Sequence, residues 1–226
     1  MVRLDDLQVN GLKMMQDPCG FRFGSDAVEL ANFVPQASLK SATLCDLGCG
    51  SGILALLLAG KKNYCVTAVE IQENMVELCK ENVELNGLGD KVTVYNGCMK
   101  EFCVSSNAGA FDVVVSNPPY EKMTKGQKSE NESVRISRFE EKITLQEVVQ
   151  CAAFLVKFGG CFYIVHKTER MAEVIDLCSQ NKLTPKILQV LRPGGGKPPH
   201  LFLLQCKRNG AVGLSVMRER EIDSVV

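Results

Sequence analysis

No stretch of these 226 residues is apolar for long enough to cross a bilayer, and the opening Met1-Val2-Arg3-Leu4-Asp5-Asp6 lacks the apolar core of a signal peptide. A soluble, cytoplasmic protein with no membrane partner is the expectation. A C-x-x-C pair is also missing. The 11 cysteines are scattered and odd in number; Cys45/Cys49 and Cys98/Cys103 come closest to pairing, and neither has histidines beside it. This argues against both a disulfide framework and a bound metal, and leaves buried thiols in a reducing compartment. Repeats and low-complexity linkers are absent too, so one domain is expected over 1–226.

The chain has no net charge, with 26 basic and 26 acidic side chains, which argues mildly against a nucleic-acid partner. The distribution argues back. Residues 1–110 carry 9 basic and 13 acidic groups, whereas residues 111–226 carry 17 and 13. No acid falls between Asp176 and Glu219, while Lys182, Lys186, Arg192, Lys197, Lys207 and Arg208 do. Two readings stand: a solvated surface of fluctuating sign, or a basic rim that holds phosphates.

What is present is a core and an alternation. A hydrophobic content of 46% fills the interior of a domain this size. From about residue 43, strand-like and helix-like segments alternate, which predicts an α/β fold with a parallel sheet and helices on both faces. The strands are Thr43–Leu47, Cys65–Glu70, Val92–Tyr95, Phe111–Ser116 and Cys161–Val165; helices are expected at 53–59, 73–83, 145–156 and 169–179, with Thr168 capping the last. Gly159-Gly160 reads as a helix-to-strand turn. Lys186–Leu191 and Leu201–Cys206 have no helix between them, so they should pair antiparallel at the sheet edge. The tail from Asn209 reads as loosely ordered.

Two local patterns carry chemistry. Asp46-x-Gly48-x-Gly50-x-Gly52 follows the first of these strands and precedes the apolar run Ile53–Ala59. Strand, glycine loop and helix let a ligand approach the backbone closely. The spacing is not G-x-G-x-x-G, and the acid ahead of the glycines suits a cationic amino-acid moiety better than a pyrophosphate. Glu70, at the end of the next strand, is placed to accept ribose hydroxyls.

The second pattern is Asn117-Pro118-Pro119-Tyr120, after the apolar strand Phe111–Ser116. A Pro-Pro turn cannot relax into a helix or a ladder. It therefore aims two acceptors, the Asn117 side-chain carbonyl and the Pro118 backbone carbonyl, at one amino group, with Tyr120 offering a face for stacking. This layout suits methylation of an exocyclic or amide nitrogen. Taken alone, the same residues also describe a turn that simply ends a strand. Neither His166 nor His200 is required as a base. The segment 121–137 is polar, without apolar periodicity, and reads as a substrate-ordered lid or as a plain loop.

Together these motifs resemble the class I S-adenosylmethionine-dependent methyltransferases with an Asn-Pro-Pro-Tyr motif. Gln16, the run Gly20-Phe21-Arg22-Phe23-Gly24-Ser25-Asp26-Ala27-Val28-Glu29-Leu30-Ala31, Val69–Gln72, Ser137–Glu140 and Val165–Arg170 resemble the bacterial tRNA1(Val) adenine-37 N6-methyltransferases over residues 4–208. The resemblance implies a Rossmann-like, seven-stranded, mostly parallel sheet with a C-terminal antiparallel hairpin. It divides the chain into a cofactor-covering segment (1–42), a core (43–208) and a tail (209–226). It implies S-adenosylmethionine as cofactor, held by Phe23, Asp26, Asp46, Gly48, Gly50, Gly52, Glu70, Ile71, Cys98 and Asn117, and no metal. Tyr120, Asn117, Pro118 and Pro119 become the catalytic turn. Lys122, Lys125, Arg138, His166 and Lys197 become contacts to a tRNA partner, with Lys128 and Arg135 also able to meet phosphates and His166 equally a core residue. One departure is Asn96-Gly97-Cys98-Met99, where the family places an acid after glycine to accept from the cofactor adenine. Cys98 is a poor acceptor, so Asn96 or backbone must substitute. Competing acceptors are a protein glutamine amide, guanine N2 and DNA adenine, and a non-catalytic cofactor-binding module is the reading outside the enzymes. Nothing fixes the oligomeric state, monomer included.

Overall fold

The computed structural model describes residues 3–16, 24–121 and 142–222. In chain order the elements are β1 (Arg3–Asp6), β2 (Lys13–Gln16), α1 (Ser25–Phe33), β3 (Thr43–Leu47), α2 (Ile53–Gly60), β4 (Cys65–Glu70) and α3 (Glu73–Leu85). There follow β5 (Val92–Asn96), a short α4 (Met99–Phe102), β6 (Phe111–Ser116), α5 (Leu145–Leu155) and β7 (Val156–Lys167). The chain continues with α6 (Met171–Gln180), β8 (Leu183–Pro193), β9 (Leu201–Arg208), β10 (Ser215–Val216) and β11 (Arg220–Ile222).

Apolar runs such as Val113-Val114-Val115 become parallel strands because both of their faces are covered. Period-two alternation sends Leu44, Val113, Val115, Tyr163 and Val165 into one core, with α1, α2 and α3. Their neighbours Cys45, Val114, Phe162 and Ile164 enter a second core, with α4, α5 and α6. The sheet runs β10-β8-β9-β7-β6-β3-β4-β5, with β11 also on β8. Seven of these strands, β3 to β9, are the expected doubly wound core. All are parallel except β9, which lies between β7 and β8 and is antiparallel to both. Helix α2 is apolar all round and correspondingly buried from Ile53 to Ala59, each fully buried leucine contributing about 1.5–3 kcal/mol. Helix α5 is started by a capping box: Thr144 Oγ1 accepts the Glu147 N–H and the Glu147 carboxylate accepts the Thr144 N–H.

The N-terminal hairpin is fastened by two asparagines of α3. Asn82, fully buried, accepts the Met15 N–H at 2.6 Å and donates to the Met15 and Ser51 carbonyls, each at 3.0 Å. Asn86 likewise accepts from Lys13 N at 2.8 Å and donates to its carbonyl at 2.7 Å. These side chains do for β2 what a neighbouring strand would otherwise do.

Four expectations change. Gly159-Gly160 lies inside β7, because α5 passes directly into the strand at Val156; a Cβ on Gly160 would meet Asp112 O at 2.7 Å. Thr168 does not cap α6 but begins a 3-10 turn, Thr168–Arg170, and donates to Pro199 O. The tail beyond Asn209 is paired rather than loose: β10 and β11 run parallel along β8, so the β8–β9 pair is not the sheet edge. Arg192 anchors the tail through Glu219 (2.6 Å) and Glu221 (2.7 Å), and Lys186 Nζ donates to Ala211 O. The basic stretch is therefore no continuous rim. Lys182, Lys207 and Arg208 lie where β8 begins and β9 ends, whereas Arg192 and Lys197 lie at the opposite end of those strands.

Candidate active site

Parallel strands that share a direction bring their carboxyl ends to one edge, and a crevice opens where the order of connection reverses. Here β3 leads outward to β4 and β5, and the chain then returns to β6 on the other side of β3. The ends of all four strands face one cavity of about 360 Å3. Its walls include Gly48, Cys49 and Gly50 after β3, Glu70, Ile71 and Gln72 after β4, Gly97, Cys98 and Met99 after β5, and Asn117 to Glu121 after β6. Asp26 and Ala27, from the first turn of α1, close one side.

The glycine loop is shaped to admit a ligand. Gly48 and Gly50 have φ of +76° and +53°, a region costly to residues with a Cβ, and a Cβ on Gly50 would meet nothing within 4 Å. The Gly48 and Cys49 amides donate to Val69 O, and the Gly50 amide donates to Glu70 Oε2 at 2.9 Å. Glu70 Oε1 accepts the amides of Ile71 and Gln72 at 2.9 and 2.8 Å. With about four acceptor positions on a carboxylate, Glu70 retains one for a further donor in the cavity. Burial raises the Glu70 pKa, an effect these three amides counter.

Asp46 lies one layer deeper. It is fully buried, neither carboxylate oxygen has a hydrogen-bond partner among the described residues, and it underlies the loop instead of lining the cavity. Desolvation, then the charge of Glu70, push its pKa up to about 8, and the nearby Ala55 amide offsets this only in part. A buried carboxylate without a donor, behind open glycines and beside a ribose-type acid, fits a ligand that carries positive charge and a sugar.

At the other wall, Ser116 Oγ donates to Leu47 O at 2.9 Å and pins the end of β6 to β3. Asn117, Pro118, Pro119 and Tyr120 follow in the cavity wall as expected. The Tyr120 hydroxyl reaches Asp26 Oδ2 at 2.5 Å and Asn117 Oδ1 at 2.6 Å, and the Tyr120 ring lies 5.2 Å from the imidazole of His166. Arg170 Nη1 donates to Tyr120 O.

Of the residues expected to hold cofactor, Asp26, Gly48, Gly50, Glu70, Ile71, Cys98 and Asn117 line the cavity. Asp46 and Gly52 do not; Gly52 (φ +95°) instead packs on α3, where a Cβ would fall 2.6 Å from Cys79 Sγ. Asn96, the substitute considered for the adenine contact, is exposed and away from the wall. Met75, Met99, Ile143 and Val148 supply an apolar lining that was not foreseen, since nothing in their local spacing distinguishes them from core. His166 is on the core side: wholly buried behind Tyr120, its Nδ1 accepts the Lys167 N–H, and burial followed by the Arg170 charge lowers its pKa to about 4. Lys197 is exposed in the β8–β9 loop, at the same edge of the sheet as the cavity. Phe23, Lys122, Lys125, Lys128, Arg135 and Arg138 lie outside the described residues. Among the described residues, no group of three or more His, Cys, Asp or Glu could hold a metal ion, and no helix is long and apolar enough to cross a membrane.

This sheet order, with one reversed strand between β7 and β8, a glycine loop after β3 and an Asn-Pro-Pro-Tyr turn after β6, is that of a class I methyltransferase fold. Residues 24–180 match the family model described as the methyltransferase small domain, and the chain belongs to that family. A curated relative from Photorhabdus laumondii, named tRNA1(Val) (adenine(37)-N6)-methyltransferase, is 28% identical over 95% of this chain and 86% of its own. A relative of the same name from Bacteroides fragilis is 27% identical over 87% and 81%. Among solved structures, a predicted O-methyltransferase from Agrobacterium tumefaciens superposes with a TM-score of 0.66 at 18% identity, covering 87% of this chain and 86% of that one. Pyrococcus horikoshii TYW2 in complex with MeSAdo gives 0.63 at 16%, covering 92% and 72%.

Proposed function

We propose that the protein transfers a methyl group from S-adenosylmethionine to the exocyclic N6 of an adenine in tRNA, most specifically adenine 37 of a valine tRNA. The observation that carries this reading is the pairing, in one cavity wall, of the Asn117-Pro118 acceptors with the Gly48–Gly50 loop and Glu70. The names of the relatives support the choice of acceptor. A tRNA acceptor also implies a cytoplasmic location.

When bound, S-adenosylmethionine supplies an electrophilic methyl on a sulfonium, so this chain needs to provide alignment more than acid–base power. Glu70 would hold the ribose, the open glycines would admit the amino-acid end, and Asp46, on giving up its proton, would offset the positive charge there. Cys98, with Met75 and Met99, offers an apolar slot for the planar base, without the side-chain acceptor that an acid at Cys98 would supply. Asn117 Oδ1 and the Pro118 carbonyl accept the two hydrogens of the adenine amino group. This draws the nitrogen lone pair out of ring conjugation and offsets the charge that develops as its new bond to carbon forms. The surplus N–H proton leaves to water afterwards, and His166, buried and neutral, is not needed for it. Tyr120 borders the acceptor side, where the adenine arrives only after leaving its own stack.

The test is transfer of labelled methyl into bulk tRNA followed by nucleoside analysis. N6-methyladenosine is expected, and Asn117→Ala should cut turnover by about 100-fold or more while leaving cofactor affinity unchanged. Cofactor binding without incorporation into tRNA would move the acceptor to a glutamine amide or DNA.

A further inference from the structure

A single proton lies among three side chains at the cavity wall. Tyr120 Oη is 2.5 Å from Asp26 Oδ2 and 2.6 Å from Asn117 Oδ1, yet a phenol carries one hydrogen and donates once. A carboxylate is the stronger acceptor of the two. Asp26 is only 9% exposed, and its other oxygen accepts the Ala27 N–H at 2.8 Å. It also sits in the first turn of α1, where the helix end favours negative charge. The hydroxyl proton therefore belongs to the Asp26 side. That turns the Tyr120 lone pairs toward Asn117, where a carbonyl oxygen at 2.6 Å would be repelled and an amide N–H would be bonded.

The two ends of an Asn amide have the same shape, and half a turn about χ2 exchanges them without moving any other atom. Among the described residues the Asn117 Nδ2 has no hydrogen-bond partner, so the exchange gains one bond and loses a repulsion. We propose that Asp26 is a positioning residue: it fixes the Tyr120 hydroxyl as its own donor, so that Tyr120 Oη accepts from Asn117 Nδ2 and Asn117 Oδ1 is turned into the cavity as the acceptor for the nitrogen to be methylated. Burial and the Asp26 charge hold the Tyr120 phenol pKa well above its usual value, so the donor stays protonated. Asp26 and Tyr120 are thus linked across 94 residues of chain by the polarity of one hydrogen bond. The role of the freed Oδ1 rests on the function proposed above; the orientation of the amide is a property of the protein without ligand.

Two measurements separate these. In the first, Asp26→Asn, Tyr120→Phe and the double variant are assayed for methyl transfer, with cofactor affinity measured by calorimetry. Asp26→Asn lets an amide N–H donate to Tyr120 and sends the hydroxyl proton back onto Asn117 Oδ1. Turnover should fall by about 100-fold, the scale of one preorganised hydrogen bond at a reacting centre, with cofactor affinity unchanged. In the Tyr120→Phe background the same substitution should change nothing further. Additive losses, or a loss of cofactor affinity that matches the loss of turnover, would make Asp26 a cofactor or packing residue and overturn the proposal. In the second, the Asn117 side-chain amide is followed by 15N NMR in the free protein, assigned by its disappearance in Asn117→Asp. One Nδ2 proton should be displaced downfield in the native protein, and the displacement should vanish in Tyr120→Phe. An identical resonance in both would refute the relay. This arm needs no substrate, so it decides the matter even if tRNA is not the acceptor or Asp26→Asn fails to fold.

Discussion

Asp46→Asn should make the ligand-free protein more stable in alkaline solution and less able to bind its cofactor. In the folded protein the Asp46 carboxyl titrates near 8, against an ordinary value of 3.8. It therefore holds its proton more tightly folded than unfolded, and folding stability falls as pH rises between those values, by about 1.4 kcal/mol per pH unit. Above pH 8 the ionised, buried carboxylate costs about 6 kcal/mol relative to its value below pH 4. An asparagine removes that cost but leaves a buried amide without partners, worth about 1–3 kcal/mol in the other direction. The expected net gain at pH 9 is about 3–5 kcal/mol, shrinking toward zero and below as pH falls to 5. Urea denaturation of both proteins at unit steps from pH 5 to 9 reads this directly: the native midpoint should decline toward pH 9 relative to the variant. Parallel curves would mean that Asp46 is not an ionisable burden on the fold, and the argument for a cationic ligand above it would lose its electrostatic leg. The companion measurement is cofactor affinity, which in the native protein should weaken as pH drops below 8 and in Asp46→Asn should be low and flat.

Three further outcomes test other parts of the structure. Gly52→Ala drives a methyl to within 2.6 Å of Cys79 Sγ and imposes a left-handed φ on alanine, so it should cost about 2–4 kcal/mol; Gly52→Ala/Cys79→Ala should recover part of that in the same denaturation assay, whereas no recovery would mean the strain is all backbone. Asn82→Ala strands the Met15 N–H and the Met15 and Ser51 carbonyls, so the hairpin should open locally, seen as hydrogen exchange at Met15 rising by about 100-fold ahead of the central strands. Lys197→Glu, at the sheet edge that also carries the cavity, should weaken tRNA binding and flatten its salt dependence, while Lys207→Glu at the far end of β9 should do neither; equal effects would return the basic stretch to a diffuse surface charge.

What could be read from the chain alone was whatever is encoded within about ten residues. The end of β3 with its glycine loop, Glu70 at the end of β4, and the Asn117 turn after β6 each announce themselves through local alternation followed by glycine or proline, and parallel topology then brings them together. Contacts between distant segments left no such trace. Asp26 meets Tyr120, Asn82 meets Met15, and β10 and β11 find β8, in each case through side chains or short strands with no periodicity of their own. Glycine was legible as conformation but not as purpose: Gly48 and Gly50 leave room for ligand, whereas Gly52, in the same motif and also at positive φ, leaves room for Cys79. Of the two readings of the basic stretch, the continuous rim fails because antiparallel strands send residues close in sequence to opposite ends of the sheet.

The charges around the cavity explain why such a site tolerates its own cost. Asp26, Glu70 and Glu121 line it and Asp46 underlies it, and Lys142 is the basic residue in its described wall. Each carboxylate is handled differently. Glu70 is spread over three amides, Asp26 is tied to a phenol and a helix terminus, Glu121 is paired with Lys167, and Asp46 has only the nearby Ala55 amide to offset its burial among the described residues. Only the last has an unmet demand for positive charge. A ligand that brings a cation to the glycine loop relieves it, and the free energy withheld from folding reappears as affinity. A neutral ligand of the same shape would relieve nothing. On the function proposed above, discrimination at this end of the cavity comes from a buried acid that gives up its proton when a cation arrives, and Gly48 and Gly50 leave the approach above it open.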